Sequence, residues 1–340
     1  MGITGQLQLK NILNLLKTID ARSIILFCHN NADPDTLLSA YALKELIVTI
    51  MPKIKVEIAR PLGLNKLSKK ILRKSPVKFA TSPNIEKSDA VVFLDINNIM
   101  QIKGYAEEIE TSSKPIIIID HHAEHPETKK TSTLQIRNEK ASSTCEMVYG
   151  LFKEASIKPK TNFAEALFIG IAYDTRHFVL ATSNTFKIVA ELIELGVNAE
   201  KALSLLEISL DPSERIARLK AASRLRIERV ENWIIALSKV SSFQASSARS
   251  LVRLGAHVAV VVGCRKKKLL VNIRSSREFF LKTNIHLGKD IAIPLGKRIG
   301  GMGGGHSTSA GANGKADIEY VLEACLELIL EKLASYPNAS

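Results

Sequence analysis

Three runs of apolar residues, each followed by a histidine or an acid, most constrain how this chain can fold. They cover residues 24–28, 90–94 and 116–119, and the residues that follow them are His29, Asp95 and Asp120-His121-His122. Helical stretches separate the runs, and residues 36–50 are apolar at helical spacing. Continuous apolar runs between helices predict parallel strands that are buried on both faces. We therefore predict an α/β fold with a doubly wound, mostly parallel sheet.

The polar residues after these runs share one place in such a fold. In a doubly wound sheet, ligands bind beyond the carboxyl ends of the strands. His29, Asp95 and the Asp120-His121-His122 group are all expected at that edge. Three coincidences of this kind favour a metal site over unrelated polar residues.

The turn after the first run carries the densest group of candidate ligands. His29, Asp33 and Asp35 stand four and two residues apart, and Pro34 suits the first position of a helix. A histidine and two carboxylates in one turn can converge on a divalent cation. The alternative is that Asp33 only caps the helix and His29 is an ordinary loop histidine. Asp174, which follows the apolar stretch 164–173, is equally open between a cap and a ligand.

Length and composition set the frame for these motifs. A chain of 340 residues exceeds what one core usually organises, so we expect two domains. No apolar stretch approaches the ~18 residues that a membrane span needs, and the first twenty residues lack the features of a signal peptide. The four scattered cysteines indicate reduced thiols in a cytoplasmic protein. The net charge of +13 favours acidic partners such as nucleotides or nucleic acid.

The second half of the chain is predicted to form a linker and a smaller domain. We place a catalytic domain at 1–195, a helical linker at 196–231 and an α/β domain with a mixed sheet at 232–340, with a cleft between the domains. The basic run 265–268 is either the exposed tip of a β-hairpin, which we favour, or a nucleic-acid contact. Residues 298–307 predict a glycine-rich loop whose backbone N–H groups can approach phosphate, with a helix beginning near Ser307.

The order and spacing of these motifs resemble those of the DHH phosphoesterase superfamily over residues 20 to about 180. The matching pattern is His29-x3-Asp33-x-Asp35, then Asp95, then Asp120-His121-His122, then Asp174-Thr175. Two residues depart from it, because Ala32 replaces the usual proline and Arg176 stands where the family often has glycine.

The resemblance implies a centre of two manganese ions and a role for each residue. It assigns one ion to His29, Asp33 and Asp95, and the other to Asp35, Asp95, His121 and Asp174. Asp120 would orient the histidines, and His122 would face the substrate phosphate. Asp95 and His122 are then the expected catalytic residues.

The donor set agrees with this chemistry independently of the resemblance. Four carboxylates and two imidazoles without a thiolate suit Mn²⁺, or Mg²⁺ as a substitute, better than structural Zn²⁺. Two cations about 3.5–4 Å apart can lower the pKa of a bridging water and hold the oxygens of a phosphoester. No serine or cysteine nucleophile is then needed.

The glycine-rich stretch adds a second resemblance. Gly303-Gly304-Gly305-His306 is similar to the signature loop of the DHH-associated C-terminal domain. This implies that the second domain binds substrate through these residues and an arginine of a nearby strand. We choose Arg274 for that arginine, with Arg277 as the alternative.

We therefore expect a dinuclear-metal phosphoesterase that hydrolyses short RNA or DNA oligonucleotides, like the nano-RNases of the family. Linear or cyclic dinucleotides and 3′,5′-bisphosphate nucleosides are further candidate substrates. The few aromatic residues offer little stacking surface for a long single strand. The alternatives are a RecJ-like exonuclease and a non-catalytic nucleic-acid or replication-partner module; an inorganic pyrophosphatase is less favoured. Crowded carboxylates without metal would repel one another, which disfavours the non-catalytic module. A homodimer is also an expectation.

Overall fold

The chain divides into two units, Met1–Ile208 and Ser209–Ser340. The computed structural model describes residues 8–74, 77–80, 82–207, 210–265 and 268–335. Each unit is built on its own β-sheet. In the described part of the chain, no helix combines the length and the apolar composition that crossing a membrane would require.

The predicted apolar runs form three strands of a five-stranded parallel sheet in the first unit, in the order β2-β1-β3-β4-β5. The strands are β1 (Ser23–Cys28), β2 (Lys55–Ile58), β3 (Ala90–Leu94), β4 (Ile116–Asp120) and β5 (Leu134–Arg137). The helices are α1 (Gln8–Thr18), α2 (Pro34–Ile50), α3 (Lys66–Leu72), α4 (Ala106–Thr111), α5 (Pro126–Thr131), α6 (Thr144–Glu154), α7 (Thr161–Asp174), α8 (Ser183–Glu194) and α9 (Ala199–Leu206), with a 3₁₀ turn at Ile99–Ile102.

Both faces of this sheet are buried, which explains why its central strands are continuously apolar. Along β1, Ile24 and Leu26 enter the core that the sheet shares with α2, α6 and α7. Ile25 and Phe27 enter a second core on the opposite face, under the 3₁₀ turn and α4. Successive residues of a strand point to opposite faces, so every position is apolar when both faces are buried. The predicted doubly wound α/β fold is confirmed.

The second unit contains a six-stranded mixed sheet in the order β10-β11-β9-β8-β7-β6, in which β7 and β8 are parallel. The strands are β6 (Arg226–Val230), β7 (Trp233–Lys239), β8 (Val258–Arg265), β9 (Lys268–Ser275), β10 (Met302–His306) and β11 (Ser309–Gly314). The helices are α10 (Pro212–Ser223), α11 (Gln244–Arg253), α12 (Arg277–Thr283), α13 (Ile293–Arg298) and α14 (Ile318–Ala334), with a π-helical turn at Leu287–Ala292.

Two local predictions for this half of the chain are wrong. Residues 226–230, which we included in a helical linker, form the edge strand β6, because it pairs with β7 through a tight turn at Glu231, whose φ is +53°. The glycine-rich stretch is strand β10 rather than a loop. No helix begins near Ser307, since the chain turns there into β11 and pairs antiparallel with β10.

The β-hairpin predicted around the basic run 265–268 is formed by β8 and β9. Strands β8 and β9 are antiparallel and remain paired out to Arg265 and Lys268. Lys266 and Lys267, between them, lie outside the described residues.

Candidate functional site

The turn between β1 and α2 brings three of the candidate ligands together. The Nε2 atom of His29 lies 3.6 Å from Asp33 Oδ1 and 3.7 Å from Asp95 Oδ2. Asp33 also caps α2, because its Oδ1 accepts the backbone N–H groups of Asp35 and Thr36. The same Oδ1 atom therefore both caps the helix and faces His29.

A second group forms around Asp35, His121 and Asp174, whose ligand atoms all lie within 4.8 Å of one another. The Asp35 side chain is fully buried, and its two oxygens accept the backbone N–H groups of Thr144 at 2.7 Å and Cys145 at 2.9 Å. These are the first amides of α6, so the positive end of that helix stabilises the carboxylate.

Asp95 lies between the two groups. Its Oδ1 is 3.4 Å from His121 Nε2 and accepts a hydrogen bond from Thr144 Oγ1 at 3.1 Å, while its Oδ2 faces His29. The backbone of Asp95 is left-handed, with φ +59°, which aspartate tolerates better than most residues. The structure therefore places Asp95 where one carboxylate can serve both groups.

The position of Asp174 runs against ordinary helix electrostatics. It is the last residue of α7, an apolar helix, where the helix dipole disfavours a negative charge. Its Oδ2 lies 3.1 Å from His121 Nε2, so a cation at this point would offset that penalty.

The chain leaves Asp174 through a strained turn. Arg176, His177 and Phe178 all have left-handed backbones, with φ of +51°, +57° and +68°. The Oγ1 atom of Thr175 holds the turn by accepting the backbone N–H of Phe178. A glycine would adopt this conformation without strain, which is a physical reason for the glycine that the family often has where Arg176 stands.

Asp120, His122 and Arg137 form a hydrogen-bonded chain at the end of β4. Asp120 is fully buried, and its Oδ1 accepts the Nδ1 and backbone N–H groups of His122 at 2.9 and 3.1 Å. Its Oδ2 accepts Nη1 of Arg137 at 3.0 Å. His122 is half exposed, so it can meet a ligand from solvent.

The surrounding carboxylates dominate the electrostatics of the three histidines. Burial alone would lower the pKa of His29, but Asp33, the backbone of Asn30 and Asp95 raise it to about 9. For His121, burial is likewise outweighed by Asp174, Asp95 and Asp35, and the pKa rises to about 11. Asp120 and Asp95 raise the pKa of His122 to about 10.

The two central carboxylates shift in opposite directions. Burial raises the pKa of Asp35 well above its ordinary value, and repulsion from Asp95 and Asp174 adds to this. Burial also opposes ionisation of Asp95, but His121 and His122 outweigh it and hold its pKa below the ordinary value. The centre therefore gathers negative charge that protons or cations must balance.

The donor geometry fits divalent cations. The Nε2 atom of His121 is buried and faces Asp95 and Asp174, yet it is not aligned to form a hydrogen bond with either. An imidazole nitrogen and carboxylates that point at a common space without bonding to one another are arranged as metal ligands are. Nitrogen and oxygen donors without thiolate suit Mn²⁺ or Mg²⁺.

The second unit places the other predicted residues on neighbouring strands. Arg274 of β9, Ser309 of β11 and His306 of β10 lie in register across one sheet face. Gly304 is on the same face, and a methyl group added to it would meet nothing within 4 Å. Gly303 and Gly305 face the other side. Arg277 begins α12 and is not on the strand.

Sequence reasoning missed the donors that hold the acids in place. Thr144 and Cys145 bind Asp35 through backbone groups, which leave no signature in side-chain identity. Arg137 had no signal beyond a basic residue at the end of a short strand.

Comparison with known proteins places the chain among related sequences. The model of the DHH family, N-terminal domain, matches residues 23–171. An uncharacterized protein of Methanocaldococcus jannaschii is 35% identical over 94% of this chain and 98% of its own length. A probable bifunctional oligoribonuclease and PAP phosphatase NrnA of Streptococcus mutans is 29% identical over 54% of this chain and 56% of its own length.

Solved structures include a protein with the same fold. The crystal structure of an exopolyphosphatase-related protein from Bacteroides fragilis aligns with a TM-score of 0.60 over 99% of this chain and 98% of that chain. Its sequence identity is 17%, so the likeness concerns the fold.

Proposed function

This chain belongs to the DHH family, and from that premise we propose that it is a manganese-dependent phosphoesterase that hydrolyses short oligonucleotides to mononucleotides. The observation that carries the proposal is the pair of ligand groups joined by Asp95. His29 and Asp33 would hold one cation with it, and Asp35, His121 and Asp174 the other.

The chain's own residues have separate tasks in this reaction. Two cations held by these residues would lower the pKa of a water and neutralise charge on the phosphate oxygens. Asp95 fixes the spacing of the two groups, and α6 anchors Asp35 through two amides. His122, held through Nδ1 by Asp120, presents its other ring nitrogen to the substrate phosphate.

The open face of the second sheet supports a nucleotide as substrate. Arg274 and His306 provide positive or hydrogen-bonding groups at one end, and the exposed side chains of Leu270 and Met302 provide apolar surface at the other. Leu270 and Arg274 are four residues apart on β9, or roughly 13 Å. A phosphate at the Arg274 end and a base at the Met302 end would use this length, whereas pyrophosphate has no apolar part.

The relatives point in the same direction. The Streptococcus mutans protein is named as an oligoribonuclease and PAP phosphatase, so short RNA and a 3′,5′-bisphosphate nucleoside are the substrates to test first.

One assay tests the proposal. Purified protein with Mn²⁺ is incubated with labelled RNA and DNA of two to thirty nucleotides, with a bisphosphate nucleoside and with pyrophosphate. We expect rapid cleavage of two- to five-nucleotide chains and reversible loss of activity on chelation. Full activity after exhaustive chelation, or cleavage of pyrophosphate alone, would contradict it.

A second candidate is a single-strand exonuclease that acts on long chains. The distribution of charge favours it, because residues 209–340 hold 21 Lys and Arg against 11 Asp and Glu. Processive degradation of the thirty-nucleotide strand with dinucleotides left intact would establish this alternative.

A further inference from the structure

Arg137 binds the end of β4 with a single nitrogen. Its Nη1 lies 3.0 Å from Asp120 Oδ2 and donates to the backbone carbonyls of His122 at 2.6 Å and Ala123 at 3.1 Å. Asp120 is fully buried, and the Arg137 side chain is 12% exposed. The guanidinium therefore joins the last residue of the strand to the turn that follows it.

This contact divides the two oxygens of Asp120 between two partners. Arg137 takes Oδ2, which leaves Oδ1 for the ring Nδ1 and the backbone N–H of His122. A carboxylate with one oxygen fixed cannot rotate, so the imidazole ring that binds the other oxygen is also fixed. The direction of the second ring nitrogen follows, because Nδ1 carries the proton that Asp120 accepts.

The contacts of Arg137 use only one of its three guanidinium nitrogens. The Nε and Nη2 atoms of Arg137 are buried without a hydrogen-bond partner among the described residues, which is unfavourable for charged donors. An apolar side chain in place of Arg137, with a neutral residue in place of Asp120, would remove the buried charges, and only the carbonyl groups of His122 and Ala123 would lose a donor. The buried pair thus calls for an explanation outside packing.

We propose that Arg137 is a positioning residue, which through Asp120 fixes the ring of His122 against the substrate phosphate. The inference rests on the proposed function, because it is that function which sets His122 at the phosphate. The hydrogen bonds of Arg137 go to Asp120, His122 and Ala123, and none of them goes to the two proposed metal groups.

A cavity of about 750 Å³ makes the proposal testable by chemical rescue. Arg137 lines it together with Asn138, Glu146, Lys153 and residues of α1 and α8. Truncation of Arg137 to alanine would join the vacated space to this cavity, which a guanidinium ion can enter.

The experiment is a double-mutant cycle in the full chain. Arg137→Ala should lower kcat by about 10–100-fold, with Mn²⁺ affinity by equilibrium dialysis within about twofold of wild type. Millimolar guanidinium chloride should restore part of the loss, and sodium chloride at equal ionic strength should not. In a His122→Ala background, adding Arg137→Ala should change kcat less than about twofold, since the two residues act as a unit.

Lys153→Ala is the matched control. Lys153 lines the same cavity but pairs with Glu191 at the surface, so its removal should leave kcat unchanged and insensitive to guanidinium. Arg137→Met, which keeps the bulk of the side chain, guards against loss of folding and should show the same kcat defect as Arg137→Ala.

Two readouts separate this inference from the proposed function. If the wild-type protein hydrolyses no phosphoester, the proposed function fails, while ¹⁵N-histidine spectra still report whether the slowly exchanging Nδ1 proton of His122 is lost in Arg137→Met. If wild type is active and the effects of Arg137→Ala and His122→Ala multiply, or the Nδ1 signal is unchanged in Arg137→Met, the inference is overturned.

Discussion

Asp95 is the residue on which the dinuclear proposal depends most. It lies between His29 and His121, and its backbone is left-handed. Asp95→Asn should abolish turnover, because an amide is a poor bridge between two cations. Asparagine also tolerates the left-handed conformation, so the melting temperature of the metal-free protein should change by only a few degrees. A wild-type rate in this variant would contradict the dinuclear mechanism.

In the proposed centre, protons would compete with cations for the nitrogens of His29 and His121. The folded, metal-free protein holds protons on His29 and His121 up to pKa values of about 9 and 11, whereas an unfolded histidine has a pKa of about 6.5. The stability that these protons provide is complete below pH 6.5 and is lost as pH rises through the folded values. A ligating imidazole must lose its proton.

We therefore expect Mn²⁺ affinity to rise with pH between 6.5 and 9, by up to about tenfold per pH unit for each proton released. The melting temperature of the metal-free protein should fall over the same range. Calorimetric titration in buffers of different ionisation enthalpy counts the protons. Affinity that does not change with pH would show that neither histidine gives up a proton to the metal.

At the scale of the element, what the sequence could predict depended on burial. Strands β1, β3 and β4 were found because both of their faces are buried, and the candidate ligands were found because they follow those strands. The sequence of β6 wrongly predicts helix, because β6 is a short, half-exposed edge strand in which charged and aliphatic residues alternate. Nothing in its side chains indicates a partner.

Strand β10 was missed for a different reason. A strand of three glycines carries no apolar alternation, so its pairing depends on backbone contacts that only the fold supplies. A Cβ on Gly303 would lie 1.6 Å from the carbonyl oxygen of Ala292, in the π-helical turn. The glycines allow that turn and the strand to approach this closely.

Two adjacent glycines of β10 provide a matched pair of variants. Gly303→Ala should destabilise the protein by about 1–3 kcal/mol or more, because the backbone at Ala292 must move to admit the methyl group. Gly304→Ala meets open space, so its stability should be unchanged or raised by up to about 1 kcal/mol. Denaturant titration of both variants measures the difference. Equal destabilisation by the two variants would contradict the placement of Gly303 and Gly304 on opposite faces of β10.

For the whole molecule, the uneven distribution of charge bears on substrate length. The excess of basic residues in 209–340 can attract the phosphates of a long strand, but each such contact releases counterions and weakens as salt rises. Cleavage of dinucleotides should then depend little on salt between 50 and 200 mM, while cleavage of a thirty-nucleotide strand should be slow and fall at least about tenfold. The ratio of kcat/KM for the two lengths at each salt concentration measures this. If this ratio does not change with salt, the basic residues of 209–340 do not take part in binding the long strand.

The hydrogen bonds that hold the acids bear on which ion the proposed centre would accept. Each oxygen of Asp35 already receives a backbone amide, Oδ1 of Asp33 receives two, and Oδ1 of Asp95 receives the Thr144 hydroxyl. Carboxylates occupied in this way are poorly placed to chelate with both oxygens at once. Calcium favours six to eight oxygens, some from bidentate carboxylates, whereas Mn²⁺ and Mg²⁺ accept six single donors. If these acids hold the proposed cations, we expect each to bind through a single oxygen, and equimolar Ca²⁺ should displace little bound Mn²⁺.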